Sequence, residues 1–325
     1  MSNWYNSFFA STIEAYKNEL IDNYFDENVI ANAIKARSKV VSINSGVKIE
    51  VPLLLGKANG AKAYSYYDTF DISPSGGFSR GDMKFANFAV PVALADQEVE
   101  ENMGEARIFE ITKAKIMQAE ATISALVNSQ MYVANASNDG GKGLYGLPDM
   151  VEALAIPTTE YMGVSPTTET AWRNKYKAGA VGSLITLMGQ LYRACKDGQD
   201  KPDLIVTTDL GEEKYETALT APMSSTTGLN VGLRYTSPDK GDAGYGSLLY
   251  KGIPIEVDKA CVDYTSLLPR YHFLNTKYLG FLLTNLETTD FVRSGNQVAK
   301  SAFIKLKSQF FTNNRRRQGK LDITS

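Results

Sequence analysis

The sequence predicts an α+β protein in which one long helix separates an aromatic hairpin from a region of mixed helices and strands. Three observations carry this. Residues 96–136 contain no proline and one glycine, and Phe109, Ile116, Ala119, Ile123 and Leu126 fall on a single helical stripe. Residues 56–90 lack helical period and set Tyr64, Tyr66, Tyr67, Phe70, Phe78, Phe85 and Phe88 among glycines and Pro74. Further on, "PDLIVTTDLGEEKYETAL" reads as strand, turn and helix, while "SLLYKGIPIEVDKAC" and "HFLNTKYLGFLL" read as strands of one mixed sheet.

The elements follow in order. Residues 8–37 place Ile13, Tyr16, Leu20, Tyr24, Val29, Ile30 and Ile34 at helical spacing, an amphipathic opening segment. "KVVSINSGVKIEVPLLL" is β-branched and strand-like, and "DISPSGGFSRGD" reads as the tip of a long hairpin. A two-stranded arm is at best marginally stable alone. Its aromatic residues are therefore expected to lie on another surface, including that of another subunit. The helix beginning near Asp96 carries its acidic residues at the N-terminal end, where they oppose the helix dipole favourably. Thirty helical residues make a rod of about 45 Å. A short helix from Asp149 to Ile156 stops at Pro157. Val181, Leu184, Ile185, Met188, Leu191, Tyr192 and Cys195 mark another helix, and "SAFIKLKSQFFT" alternates as a strand.

The 325 residues bound the chain to one or two domains. Hydrophobic content of 43% and charged content of 22% are ordinary for a globular protein. No apolar run reaches the roughly 18 residues that span a bilayer, and the start does not read as a secretory signal. Cys195 and Cys261 form no disulfide framework and suit a reducing compartment. The net charge of −2 is unevenly spread: residues 301–325 carry +5, and the run from Asp96 to Glu110 carries −5. Such a chain pairs its charges within itself or with copies of itself. A nucleic-acid binder usually shows a larger basic excess.

Gly141, Gly143 and Gly146 spell G-x-G-x-x-G within "NDGGKGLYGLPDM". A dinucleotide-binding turn needs a strand before the motif and a full helix after it. Here the long helix precedes and only a short one follows, so the glycines are read as ending the helix and turning the chain. His272, Cys195 and Cys261 have apolar neighbours and no second ligand at metal spacing. G-x-S-x-G is absent, and "GDAGYGSLL" lacks the ending of a P-loop. Trp172 reads as a core or interface anchor. No catalytic residue, metal or cofactor is expected.

The order of these parts resembles the major capsid proteins of tailed bacteriophages, whose fold is named for the Hong Kong 97 phage. The resemblance rests on the opening arm, the glycine-punctuated hairpin, the acidic-headed helix and "GLYGLPDMV". It continues through "AWRNKY", "PDLIVTTDLGEEKYETAL", "YKGIPIEVDKAC", "HFLNTKYLGFL" and "RRRQGKLDI". It implies an N-terminal arm at 1–46, an extended loop with the start of the peripheral domain at 47–95, and a spine helix at 96–136. An axial domain at 137–284 and peripheral return strands with the tail at 285–325 complete it. It also implies a shell of hexamers and pentamers around double-stranded DNA held by non-specific contact, a portal, assembly in the host cytoplasm, and no membrane. With no charged helical segment ahead of the arm, a separate scaffolding protein is expected. A self-crosslinking isopeptide occurs in the family, but no residue here matches it. Tyr64, Tyr66, Phe78, Phe85, Glu98, Glu101, Arg315, Arg316 and Arg317 are the candidate inter-subunit contacts, with the arginines expected to meet the acidic run near the spine helix. Gly141, Gly143 and Gly146 are the candidate hinge. The rival readings are an encapsulin-type compartment shell and a cytosolic nucleotide-dependent enzyme.

Overall fold

The computed structural model describes residues 28–37, 39–42, 48–56, 61–70, 77–97, 105–220, 248–283, 287–289, 292–293 and 299–324. In chain order the elements begin with α1 (Val29–Ala36), β1 (Val40–Ser42), β2 (Lys48–Leu54), β3 (Phe78–Lys84), β4 (Ala86–Ala95) and α2 (Glu105–Met131). The middle comprises α3 (Leu147–Met150), β5 (Lys175–Gly179), α4 (Leu184–Cys195), β6 (Leu204–Thr207), α5 (Asp209–Thr220), β7 (Leu249–Tyr250) and β8 (Ile253–Val257). The last part holds β9 (Arg270–Leu274), β10 (Leu279–Leu283), β11 (Glu287–Thr288), β12 (Val292–Arg293), β13 (Ala299–Thr312) and β14 (Gly319–Ile323).

The first sheet is organised by β13. One edge pairs antiparallel with β4, from Ala299 opposite Ala95 to Ser308 opposite Ala86. The other edge pairs in succession with β10, β11 and β12, and β1 lies parallel to β10. Alternation along β13 buries Ala302, Ile304 and Leu306 and leaves Phe303, Lys305 and Lys307 exposed. Helix α2 runs along β4 and buries Ile116, Ala119, Ile123, Val127 and Met131. The stripe therefore ends on Val127 and not on Leu126, which is 37% exposed. Steps of four residues keep the apolar line on the face turned to the core. At 27 residues α2 is about 40 Å long.

The hairpin β2–β3 pairs Lys48 with Lys84 at its base and Leu54 with Phe78 at its far end. Phe78–Asp82 thus lie in a strand, where the sequence placed a tip. The hairpin also buries more within its own chain than expected. Ile49, Val51, Leu53 and Met83 belong to the main core. Gly81 backs onto Met162, whose carbonyl accepts the Asp82 amide at 3.1 Å. A marginal ribbon gains stability this way, because one full face of it leaves water.

The second sheet has the order β5-β14-β9-β6-β8-β7. The segment "HFLNTKYLGFLL" thus divides between the two sheets: β9 belongs to the second and β10 to the first. A turn at Asn275–Tyr278 separates them, with the Asn275 side chain accepting from the Lys277 amide. The helix foreseen from Asp149 to Ile156 is the single turn α3, followed by bends. Helices α4 and α5 cover one face of the sheet, where Met188, Leu191 and Cys195 meet Tyr271, Phe273, Leu321 and Ile323. The opposite face carries Leu204, Val206 and Leu274 into the main core.

That inner face also holds charge. Arg270 Nε donates to Asp322 Oδ1 at 2.6 Å, and Lys320 Nζ lies 4.0 Å from Asp322 Oδ2. At the end of α2, Tyr132 and Asn128 donate to the Asp258 carboxylate at 2.9 and 3.1 Å. A turn at Asp197–Asp203 joins the sheet to more distant segments. Asp200 accepts from Lys277 and Tyr278, and Asp203 accepts from Thr276 and is ion-paired with Arg37. Burial, with Arg270 beside it, pushes the Lys320 ammonium down to about 8. An unfolded lysine titrates near 10.4. Between those values the unfolded chain binds the proton that the folded chain has released, so folding stability rises with pH across that window. Urea unfolding of the native chain relative to Lys320→Met should show an advantage that grows from pH 8 to pH 10 by about 1 kcal/mol per unit at most. A flat difference would contradict the burial cost.

Candidate interaction surface and hinge

Two glycines mark where the hairpin loop leaves and returns: the Leu55 amide donates to Gly77 O at 2.7 Å and the Gly56 amide to the same oxygen at 3.3 Å. Beyond this neck, every described residue from Ala61 to Phe70 is exposed. Tyr66 and Tyr67 are 99% and 98% exposed. A local turn orders the stretch, with the Ser65 amide on Asp68 Oδ2 at 2.9 Å and Tyr64 edge-on to Phe70. Leu54 and Phe78, paired at the far end of the ribbon, are exposed as well. Large apolar groups left exposed in this number mark an interaction site. Of the sequence-predicted contacts, Tyr64, Tyr66 and Phe78 lie here. Phe85 does not: it is half-buried against the main core of its own chain. Glu98 and Glu101 lie outside the described residues.

The glycine-rich segment does not end α2, which stops at Met131. The helix end is closed by Asn138, whose Nδ2 donates to Gln130 O, Val133 O and Leu144 O at 3.1, 3.3 and 3.0 Å. The Asn138 carbonyl accepts the Gly141, Lys142 and Gly143 amides. Of the three motif glycines, only Gly141 adopts positive φ, at 85°; Gly140 beside it has 65°. Gly143 and Gly146 are required for space instead. A Cβ on Gly143 would lie 2.4 Å from Gln130 Oε1, and one on Gly146 would lie 2.0 Å from Val133 O. The Asp149 carboxylate accepts the Gly146 and Asn135 amides at 2.9 and 2.7 Å, and burial raises its pKa. Gln309 on β13 ties the segment to the hairpin, accepting from the Tyr145 amide and donating to Lys84 O. The amides that a bound phosphate would need are thus spent on the chain itself.

The arginine triplet divides. Arg315 is fully buried and donates to Met150 O, Thr159 O and Asp149 O at 2.6, 3.2 and 3.3 Å, with Tyr161 beside it. It is an internal clamp on the end of α3 and not an inter-subunit contact. Arg316 and Arg317 share Asp197 at 3.5 and 2.6 Å. Their carboxylate comes from the second sheet's turn and not from the acidic run before α2. Sequence reasoning missed the clamp because the three carbonyls lie more than 150 residues away.

The remaining chemical candidates are structural. Burial pushes the Cys195 and Cys261 thiols up to about 12. Burial and the nearby Lys320 and Arg270 charges hold His272 well below its usual range, with its ring beside Tyr132. Trp172 is buried, stacked on Tyr161, and donates to Tyr161 O at 3.2 Å.

Two tests follow from the hinge and clamp. Gly146→Ala should cost about 1–3 kcal/mol through overpacking, whereas Gly140→Asn, at an open αL position, should stay within about 0.5 kcal/mol. Arg315→Met should cost about 3 kcal/mol by orphaning three carbonyls, against about 0–1 for Arg316→Met. Chemical denaturation of the four variants measures both pairs.

Comparison with solved structures places this architecture. The chain is similar to the cyanophage A-1(L) capsid asymmetric unit at 17% identity and a TM-score of 0.63, over 92% of this chain and 95% of that one. It is similar to the capsid of Myoviridae phage XM1 at 12% identity and 0.54, over 89% and 91%. It is also similar to the satellite phage P4 procapsid, which includes the size determination (Sid) protein, at 10% identity and 0.52, over 100% and 98%. No protein-family model matches the sequence, and no curated protein matches it. The shared architecture is the α+β fold of the Hong Kong 97-type capsids.

Proposed function

We propose, from the Hong Kong 97-type fold of this chain, that it is the major capsid protein of a tailed phage. The observation that carries the reading is agreement over nearly the full length of both chains with a cyanophage capsid subunit. In this role the protein is structural and not an enzyme, and its chemistry is burial between copies. Subunits join as hexamers and pentamers, with the exposed loop at 61–70 lying across a neighbour. A separate scaffolding protein, a portal and double-stranded DNA packaged without base-specific contact complete the set of partners. Assembly takes place in the host cytoplasm, and the end point is the virion head. The apolar surface of the loop supports the reading, because an obligate interface commonly buries about 2,000 Å² or more.

The neck between Gly56 and Gly77 provides the test. Replacing residues 56–76 by Asn-Gly joins Leu55 to the Gly77 opposite it through a two-residue turn and leaves both sheets untouched. The shortened chain should keep its far-ultraviolet spectrum and thermal midpoint. Co-expressed with a scaffold, it should form no closed shells by negative-stain microscopy, while the native chain does. A native chain that stays monomeric with a scaffold present would sink the reading. Normal shells from the shortened chain would make the loop a decoration.

A further inference from the structure

A cleft of about 500 Å³ opens where the hairpin base meets the hinge, lined by Lys48, Lys84 and Lys142 with Asp82, Asn87 and Tyr145 among its walls. Lys48 and Lys84 are directly opposed across the two strands. Like charges so placed repel, and Lys142 adds a third cation from the glycine-rich segment. Lys48 Nζ lies 3.5 Å from Asp82 Oδ2. That same carboxylate is shared with Arg80, at 3.3 Å. Asp139 is turned to Gln130 at 3.0 Å, and Asp149 is held by the Asn135 and Gly146 amides at 2.7 and 2.9 Å. Lys84 and Lys142 have no carboxylate partner among the described residues.

The densest acidic stretch of the chain is Glu98, Glu100, Glu101 and Glu105, with no cation among them. The residues that flank it are far from the cleft of their own subunit. The cleft lies at the C-terminal end of α2 and the start of β4, where Asn87 is in its wall; the described residues on either side of the acidic run, Gln97 and the start of α2 at Glu105, lie at the other end of both. Twenty-seven helical residues separate the two by about 40 Å. The ten residues of β4 give about 33 Å. The cations of the cleft thus gather beyond the C-terminal end of α2, while the carboxylates precede its N-terminal end in sequence. Two copies meeting head to tail satisfy both, and a heterologous contact of that kind closes into a ring when its rotation allows.

We infer that the lysine cleft receives the acidic stretch 98–105 of a neighbouring copy, as a repeated head-to-tail contact around each ring. The inference rests on the capsid reading and names the partner surface within it. All three lysines are exposed, so reversing two of them leaves the fold intact while placing like charges across the contact, which costs several kcal/mol.

The test is charge exchange with a covalent check. Lys84→Glu with Lys142→Glu should lower particle yield at least about tenfold at unchanged thermal midpoint. Glu98→Lys with Glu100→Lys should do the same, and the four changes together in one chain should restore particles. In parallel, Lys142→Cys with Glu100→Cys should give a disulfide-linked ladder of subunits on mild oxidation of particles, absent from either single variant. Full assembly of both double-reversal chains, with no ladder from intact particles, overturns the inference and leaves the capsid reading standing. Normal empty particles that have lost only co-purifying nucleic acid overturn it in favour of phosphate as the anion. A native chain that never forms particles with a scaffold removes both together.

Discussion

Strand β13 has a partner on at least one edge along its whole length, Ala299–Ser308 against β4 and Ser308–Thr312 against β10, and the remaining architecture is arranged around that requirement. A buried strand of this length must find partners for all of its main-chain groups. They come from one side by β4 and from the other by β10, β11 and β12 in turn. The same strand carries Gln309 into the seam, where one side chain holds both the hinge and the hairpin base. At its end the chain turns through Arg315, which grips α3, before entering the second sheet as β14. Shift β13 by one residue and its apolar set would face solvent, Gln309 would lose both partners, and Arg315 would miss its carbonyls.

Period and punctuation made some of this legible from sequence. The long helix could be read because a 3.6-residue stripe persists across many turns, and the ribbon because strand-like runs flank a glycine-rich interval. The division of β9 from β10 was not legible, since "RYHFL" and "LGFLL" have the same apolar character. Only partner strands far away in sequence assign them to different sheets. Three adjacent arginines read alike from sequence, as contacts for the acidic run. Nothing local shows that Arg315 is fully buried, Arg317 nearly so and Arg316 half exposed, because the Arg315 clamp is made of carbonyls supplied by residues 149–159.

The glycines show a related ambiguity. A fingerprint spacing of G-x-G-x-x-G arises here from three separate needs: a left-handed turn at Gly141, a passage beside Gln130 at Gly143 and a near-contact with Val133 O at Gly146. The pattern match alone cannot distinguish these from a phosphate cradle. The decisive features are where the amides point and what precedes the turn. Much of the candidate contact surface was likewise visible as aromatic residues without a core, but the division of the ribbon into an inner face docked on Met162 and an outer face of ion pairs ending in Leu54 and Phe78 was not.

The placement of β14 has a consequence for the order of events during synthesis. Residues 319–323 lie between β5 and β9, in the interior of the second sheet. A ribosome that has released only the first 310 residues has produced β5 and the β9–β6–β8 group with no strand to join them. Pairings of such sequence separation are slow, because their loop-closure entropy precedes any reward. A nascent chain therefore carries an unfinished sheet with two open edges until these late residues emerge. Emergence of residues 319–323 thus acts as a clock on when the second sheet is first closed.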